Sequence, residues 1–122
     1  MYIEIDFEST EAIYEQLCNQ IILGIAKNVI REGESLPSVR AMAEQVGVNM
    51  HTVNKAYNVL KEDGFLSVDR RRGAVVYVDK EKITALRELK RDLTIALAKA
   101  SCKNIGRAEV HALIDEICED YK

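Results

Sequence analysis

The chain has 122 residues, 48% of them apolar and 30% charged, which suffices for one modest core plus an appendage and not for two large domains. With 17 Lys and Arg against 20 Asp and Glu, the formal net charge of −3 excludes a uniformly basic nucleic-acid coat, so any contact with a polyanion has to be local. No apolar run reaches the roughly 18 residues of a membrane span, and the opening Met1-Tyr2-Ile3-Glu4-Ile5-Asp6 lacks the features of a signal peptide, so a soluble, cytoplasmic protein without a membrane partner is expected.

Ser9-Thr10 followed by Glu11 reads as an N-cap with an acidic first turn, after which Ile13, Leu17, Ile21, Ile25 and Val29 recur every four residues. This predicts a first helix of about 20 residues ending near Ile30. Gly24 inside it costs about 1 kcal/mol relative to Ala, which close packing by another helix would explain. Arg31-Glu32-Gly33-Glu34 breaks the pattern, and Leu36-Pro37-Ser38 places the only proline just before a Ser N-cap. A short second helix from about Ser38 to Gln45 follows, with Val39, Met42, Ala43 and Val46 on one face.

Gly47-Val48-Asn49 reads as a tight break, Gly47 closing one helix and Asn49 capping the next. The third helix spans about Met50 to Asp63. Val53, Ala56, Tyr57 and Leu60, at i, i+3, i+4 and i+7, face the core, so His51, Asn54, Lys55 and Asn58 point away from it, with Thr52 at the flank. Gly64 ends the helix. Two β-prone runs, Phe65-Leu66-Ser67-Val68 and Ala74-Val75-Val76-Tyr77-Val78, are joined by Asp69-Arg70-Arg71-Arg72-Gly73, which makes a hairpin with a cationic tip. Two short helices across a Gly-containing turn, then such a hairpin, form a winged helix-turn-helix. Its third helix suits a major groove, and its wing suits the backbone or the neighbouring minor groove.

Beyond residue 80, Ile83, Leu86, Leu89, Leu93, Ala96, Leu97 and Ala100 form one apolar stripe. Val110, Leu113, Ile114, Ile117 and Tyr121 form another after Lys103-Asn104-Ile105-Gly106. The expected fold is therefore mainly α with a small β-hairpin: a winged helix-turn-helix over residues 1–79 and a two-helix hairpin over 80–122. That hairpin has little core of its own. Covering Ile83, Leu86, Leu89, Leu93, Leu97, Val110, Leu113, Ile114 and Ile117 with a second copy, in a four-helix arrangement, predicts a homodimer.

Cys18, Cys102 and Cys118 are odd in number and contain no C-x-x-C pair, so neither a disulfide framework nor a zinc knuckle is indicated. There are two histidines, His51 and His111, and no H-E-x-x-H, G-x-x-x-x-G-K-[ST] or G-x-S-x-G. No enzyme, metal or cofactor is expected.

Ile13-Tyr14-Glu15-Gln16-Leu17, Gly33-Glu34-Ser35-Leu36-Pro37-Ser38-Val39-Arg40, Gly47-Val48-Asn49, Thr52-Val53-Asn54-Lys55-Ala56-Tyr57 and Gly64-Phe65-Leu66 together resemble the GntR family of bacterial transcription regulators. The five blocks stand in the family's order across about residues 10 to 78. The short tail, with no room for a ligand domain, is similar to the YtrA-type branch. The resemblance implies a dimeric repressor of a palindromic double-stranded DNA operator, often near or within the transporter operon it controls. It also implies DNA contacts from Arg40 of the Leu-Pro-Ser-x-Arg block, together with Ser38, and from Asn49, Met50, His51, Thr52 and Asn54 of the third helix. Many members carry Arg where this chain has Met50 and Asn54. An Asn suits bidentate pairing with adenine where Arg prefers guanine, so Asn54 is expected to read an adenine.

The residues themselves add Lys55 as a phosphate contact, with Thr52. Arg70, Arg71 and Arg72 beside Gly73 are like charges that a polyanion would relieve. The competing reading is a winged-helix module whose arginine wing docks an acidic protein. The polar outward face of the third helix argues for a groove, since a protein interface favours exposed aromatics or Leu there. By segment, residues 1–33 hold six acids and two bases, residues 34–73 five and six, and residues 74–122 nine and nine. The excess acid therefore lies outside the expected DNA-reading unit.

Overall fold

The computed structural model of the chain describes residues 2–121. Contacts divide the chain into two units, Met1–Asp79 and Lys80–Lys122. The first contains α1 (Ile13–Ala26), α2 (Val39–Val46), α3 (Met50–Glu62) and an antiparallel hairpin of β1 (Leu66–Asp69) and β2 (Gly73–Val76). The second contains α4 (Lys82–Cys102), α5 (Arg107–Cys118) and a short 3-10 turn, Glu119–Tyr121.

In the first unit the i, i+4 apolar positions of α1 meet the stripe of α3. Leu17, Ile21, Ile30, Met42, Val53, Leu60 and Val76 are almost wholly removed from water, with Ala56 and Tyr57 beside them. The wing thus shares the core of the helices through Leu66 and Val76. The Tyr57 hydroxyl donates to the Pro37 carbonyl at 2.7 Å, tying α3 to the entrance of α2, and burial raises its pKa.

Helix α1 is shorter at both ends than its periodicity predicts. Ala12 is its N-cap and supplies no side-chain bond, while Ser9 Oγ instead accepts from Glu11 N in a preceding turn. The buried Gln16 accounts for the late start. Its amide nitrogen donates to the carbonyls of Asp6 and Glu11, and its oxygen accepts from Asp6 N at 2.9 Å, holding residues 6–11 against α1 as a non-helical strap. At the other end Asn28 takes φ 62°, a left-handed conformation that Asn tolerates. The amides of Val29 and Ile30 then both close on the Gly24 carbonyl. Ile30 folds back so tightly that a Cβ on Gly24 would stand 2.7 Å from Ile30 Cδ1. The nearest side chain to a Cβ at Gly24 is therefore Ile30, just beyond its own helix, rather than a residue of a second helix.

Residues 33–36, read from sequence only as a break, pair with the outer edge of β2. Leu36 N donates to the Ala74 carbonyl, Val76 N to Glu34, and Gly33 N to Val76. This protects an edge that a two-stranded ribbon would leave open.

In the second unit, Glu81 caps α4 by accepting from the amides of Ile83 and Thr84, and its bonds with Thr84 lead the causes that hold its carboxyl below the ordinary range. Asn104, again at φ 62°, turns the chain after α4, and Ile105 N closes on the Ala100 carbonyl at 2.9 Å. The two helices are not closely apposed along their lengths. At their junction Leu97, Ile105, Val110 and Ile114 line a cleft. Neither helix has a buried residue. Among the described residues no helix is long and apolar enough to cross a membrane.

Candidate nucleic-acid interface

Helix α3 is positioned by caps. Ser38 Oγ accepts from Ala41 N at 3.1 Å to start α2. Gly47, at φ 79°, ends α2 in the left-handed conformation that glycine adopts without a Cβ penalty. Two residues later Asn49 Oδ1 accepts from His51 N at 2.7 Å to start α3. The oxygens of Ser38 and Asn49 thus accept from the backbone, and both residues are exposed. These caps fix the turn geometry between the helices.

The core stripe of α3 leaves Met50, His51, Asn54, Lys55 and Asn58 exposed and Thr52 half-buried. Asn54, Asn58 and Lys61, one turn apart along the helix, form one wall of a groove. Pro37, Ser38 and Val39 form another, and Leu66, Val68, Gly73 and Ala74 of the hairpin close it. Ser38, Asn54 and Gly73, three residues singled out from sequence, are therefore brought round one concavity. Arg40 lies exposed in the first turn of α2, and Asn49, Met50, His51, Thr52 and Lys55 do not line the groove.

The wing turn is organised by Asp69. It pairs with Gly73 across the hairpin, and its Oδ1 accepts from the backbone amides of Arg71, at 2.7 Å, and Arg72, at 3.3 Å. Gly73 takes φ 74°, as a three-residue hairpin loop requires where the chain re-enters the strand. Arg70, Arg71 and Arg72 all lie exposed, but they are not equivalent. The Arg72 guanidinium donates to the Gly33 carbonyl, so it ties the wing to the segment 33–36 that pairs with β2, whereas Arg70 and Arg71 make no such bond.

Sequence reasoning missed three residues that lie beside these. Tyr14 of α1 lies under Lys55, whose Nζ stands 4.0 Å from the ring centroid; residues 41 positions apart give no local signal. Lys61 continues the 54, 58, 61 ridge and could have been found by extending it one turn. Val68, 66% exposed, puts an apolar side chain on the wing where alternation alone cannot tell a solvent face from a ligand face. Among the described residues no three His, Cys, Asp or Glu side chains converge as a metal site would need.

A capped helix presenting amide, imidazole and ammonium groups beside a hairpin with a cationic tip defines a winged helix-turn-helix protein of the DNA-binding class. The comparisons agree. The profile described as "Bacterial regulatory proteins, gntR family" matches residues 9–76, and the chain belongs to that family of regulators. It is 33% identical to the HTH-type transcriptional repressor YtrA of Bacillus subtilis, over 98% of this chain and 95% of the relative. A solved structure titled as a transcriptional antiterminator from Listeria monocytogenes EGD-e is 29% identical, with a TM-score of 0.87 over 99% of this chain and 92% of its own. The DNA-binding domain of AraR, crystallised with operator ORX1, is 25% identical, with a TM-score of 0.53 over 62% of this chain and 98% of its own.

Proposed function

We propose that the protein is a cytoplasmic, dimeric transcription repressor that occludes a promoter by binding a palindromic operator, near or within the operon of a transporter or another neighbouring operon. Residues 1–79 serve as its DNA-binding domain and residues 80–122 as its dimerisation tail. The carrying observation is the contrast between the two units. One exposes Asn, His, Lys and Arg around a groove, and the other leaves Ile83, Leu86, Leu89, Leu93, Leu97, Leu113, Ile114 and Ile117 between 38% and 70% exposed, with Val110 half-buried. Apolar side chains repeated at this density along two helices exceed what a monomer scatters over its surface, and a second copy of the same helices would cover them. Similarity to a repressor over nearly the whole chain supports repression.

In this reading Asn49, Met50, His51, Thr52 and Asn54 enter the major groove, Ser38, Arg40 and Lys55 hold phosphates, and Arg70, Arg71, Arg72 and Gly73 follow the backbone into the next minor groove. The test is a light-scattering mass of the full chain together with titration of an inverted repeat selected by it and of the half-site alone. A dimeric mass and markedly tighter binding of the inverted repeat are expected. A monomer, or equal affinity for half-site and inverted repeat, would refute the proposal, and tight binding of an acidic protein without any duplex binding would favour the docking-module reading instead.

A further inference from the structure

Lys55 stands on the exposed side of α3, but its ammonium is not left to wander. Nζ sits 4.0 Å from the centroid of the Tyr14 ring, within the range where the negative face of an aromatic ring attracts a cation. The ring is itself held. Tyr14 is half-buried in the first turns of α1, its hydroxyl donates to Glu15 Oε1 at 3.3 Å, and the helix behind it is locked to α3. Leu17, Cys18 and Ile21 are buried in the shared core, and the Cys18 thiol donates to the Ala56 carbonyl at 3.4 Å, next in sequence to Lys55.

We propose that Tyr14 is a positioning residue for DNA binding: its ring presets the Lys55 ammonium at the edge of α3, where that cation meets a phosphate. The inference rests on α3 being the groove-entering helix. Two physical points carry it. Lysine has among the largest side-chain entropies to lose when fixed, so a lysine already confined gives up less on binding. A ring, unlike a carboxylate, confines the ammonium without cancelling its charge, so the full positive charge stays available to the anion.

Two measurements on the full-length protein separate this from a structural role. In the free protein, the Lys55 side-chain methylene protons next to Nζ should show an upfield ring-current shift in NMR spectra that Y14F retains and Y14L loses. On a duplex selected by the wild-type chain, Y14L should weaken binding about 2- to 5-fold per protomer, within the ordering cost of one rotamer-rich side chain, and Y14F should restore it. In a K55M background, Y14L should change affinity no further. K55M should also lower the slope of log affinity against log salt by about 0.9 per protomer, whereas Y14L should leave the slope intact. Absence of the ring-current shift, or an equal effect of Y14L in both backgrounds, would overturn the positioning role while leaving DNA binding itself untouched. A normal ring-current shift with no salt-dependent binding by the wild-type chain would overturn the DNA-binding reading, and the role of Tyr14 with it.

Discussion

Replacing Arg71 by Ala gives the most discriminating test of the wing, because the structure isolates what the change removes. The turn is held by Asp69 Oδ1 accepting from the Arg71 backbone amide at 2.7 Å, a bond that Ala preserves, so the hairpin survives and only an exposed guanidinium is lost. With Arg72 engaged by the Gly33 carbonyl, the cations counted against phosphates on each protomer of the proposed dimer are Arg40, Lys55, Arg70 and Arg71. Each neutralised phosphate contributes about −0.9 to the slope of log affinity against log salt, which makes about −3.6 for one protomer and about −7 for two. Between 50 and 200 mM salt those slopes correspond to losses of about 150-fold and about 20,000-fold. Arg71→Ala should therefore flatten the slope by about 1.8 if two protomers engage and by about 0.9 if one does. Fluorescence-anisotropy titrations of a labelled duplex over a salt series measure this directly. An unchanged slope would remove Arg71 from the interface, and a drop of only about 0.9 would refute the dimer on DNA.

Four further outcomes follow from particular contacts. Gly24→Ala gains about 1 kcal/mol of helix propensity but drives a Cβ to 2.7 Å from Ile30 Cδ1, an overpacking worth about 1–3 kcal/mol. Urea melts should show a net loss that Ile30→Val, by removing Cδ1, reduces; a stabilised G24A would contradict the packing. Burial, ahead of the charges of Asp63 and Glu15, raises the Cys18 thiol to about 11, while Cys102 and Cys118 are exposed, so a thiol reagent near pH 8 should titrate two cysteines in the native protein and three after denaturation. Because Cys18 ionises more readily unfolded than folded, its contribution to stability is complete below about pH 9 and falls as pH rises through about 11, which alkaline melts of wild type and C18A would register. Asn54→Ala should lose about 1–3 kcal/mol of discrimination at a single base pair, an adenine, with little change elsewhere in the site; a selection that returns G·C there, insensitive to the substitution, would refute the pairing.

The parts of the fold written in short-range periodicity were legible. The stripe Val53, Ala56, Tyr57 and Leu60 is buried, Gly47 and Asn49 close and open the helices flanking the turn, and Gly73 takes the positive φ of the wing. What escaped depends on pairs distant in sequence or on a change of backbone direction that does not disturb the apolar pattern. Val29 continues the four-residue repeat of α1 although the chain has already turned at Asn28 and left Val29 64% exposed. Polar Glu34 and Ser35 carry no strand signal, yet backbone bonds to β2 make them an edge. The outward face of α3 was read correctly residue by residue, but its organisation was not. The Tyr14 ring beneath Lys55 and the Gly33 carbonyl on Arg72 are tertiary contacts, and they decide which cations are preset, which are tied and which are left for a ligand.

The opposite surface chemistries of the two units bear on how such a protein would be controlled. Residues 1–79 hold twelve acids and eight bases, so a single winged unit is net acidic and its non-specific attraction to DNA is weak. Linking two such units through their tails makes the second half-site contact intramolecular, and affinity for the full operator then depends on tail association as strongly as on base contacts. Placing Glu at Leu93 and Leu97 tests this without touching the reading unit: both side chains are exposed within one chain, so the winged unit keeps its melting transition while the full chain becomes monomeric. Operator affinity should then fall to that of a half-site, with the salt slope halved from about −7 to about −3.6. A variant that remains dimeric, or a monomer that retains the steeper slope, would show that residues 80–122 do not couple the two half-sites.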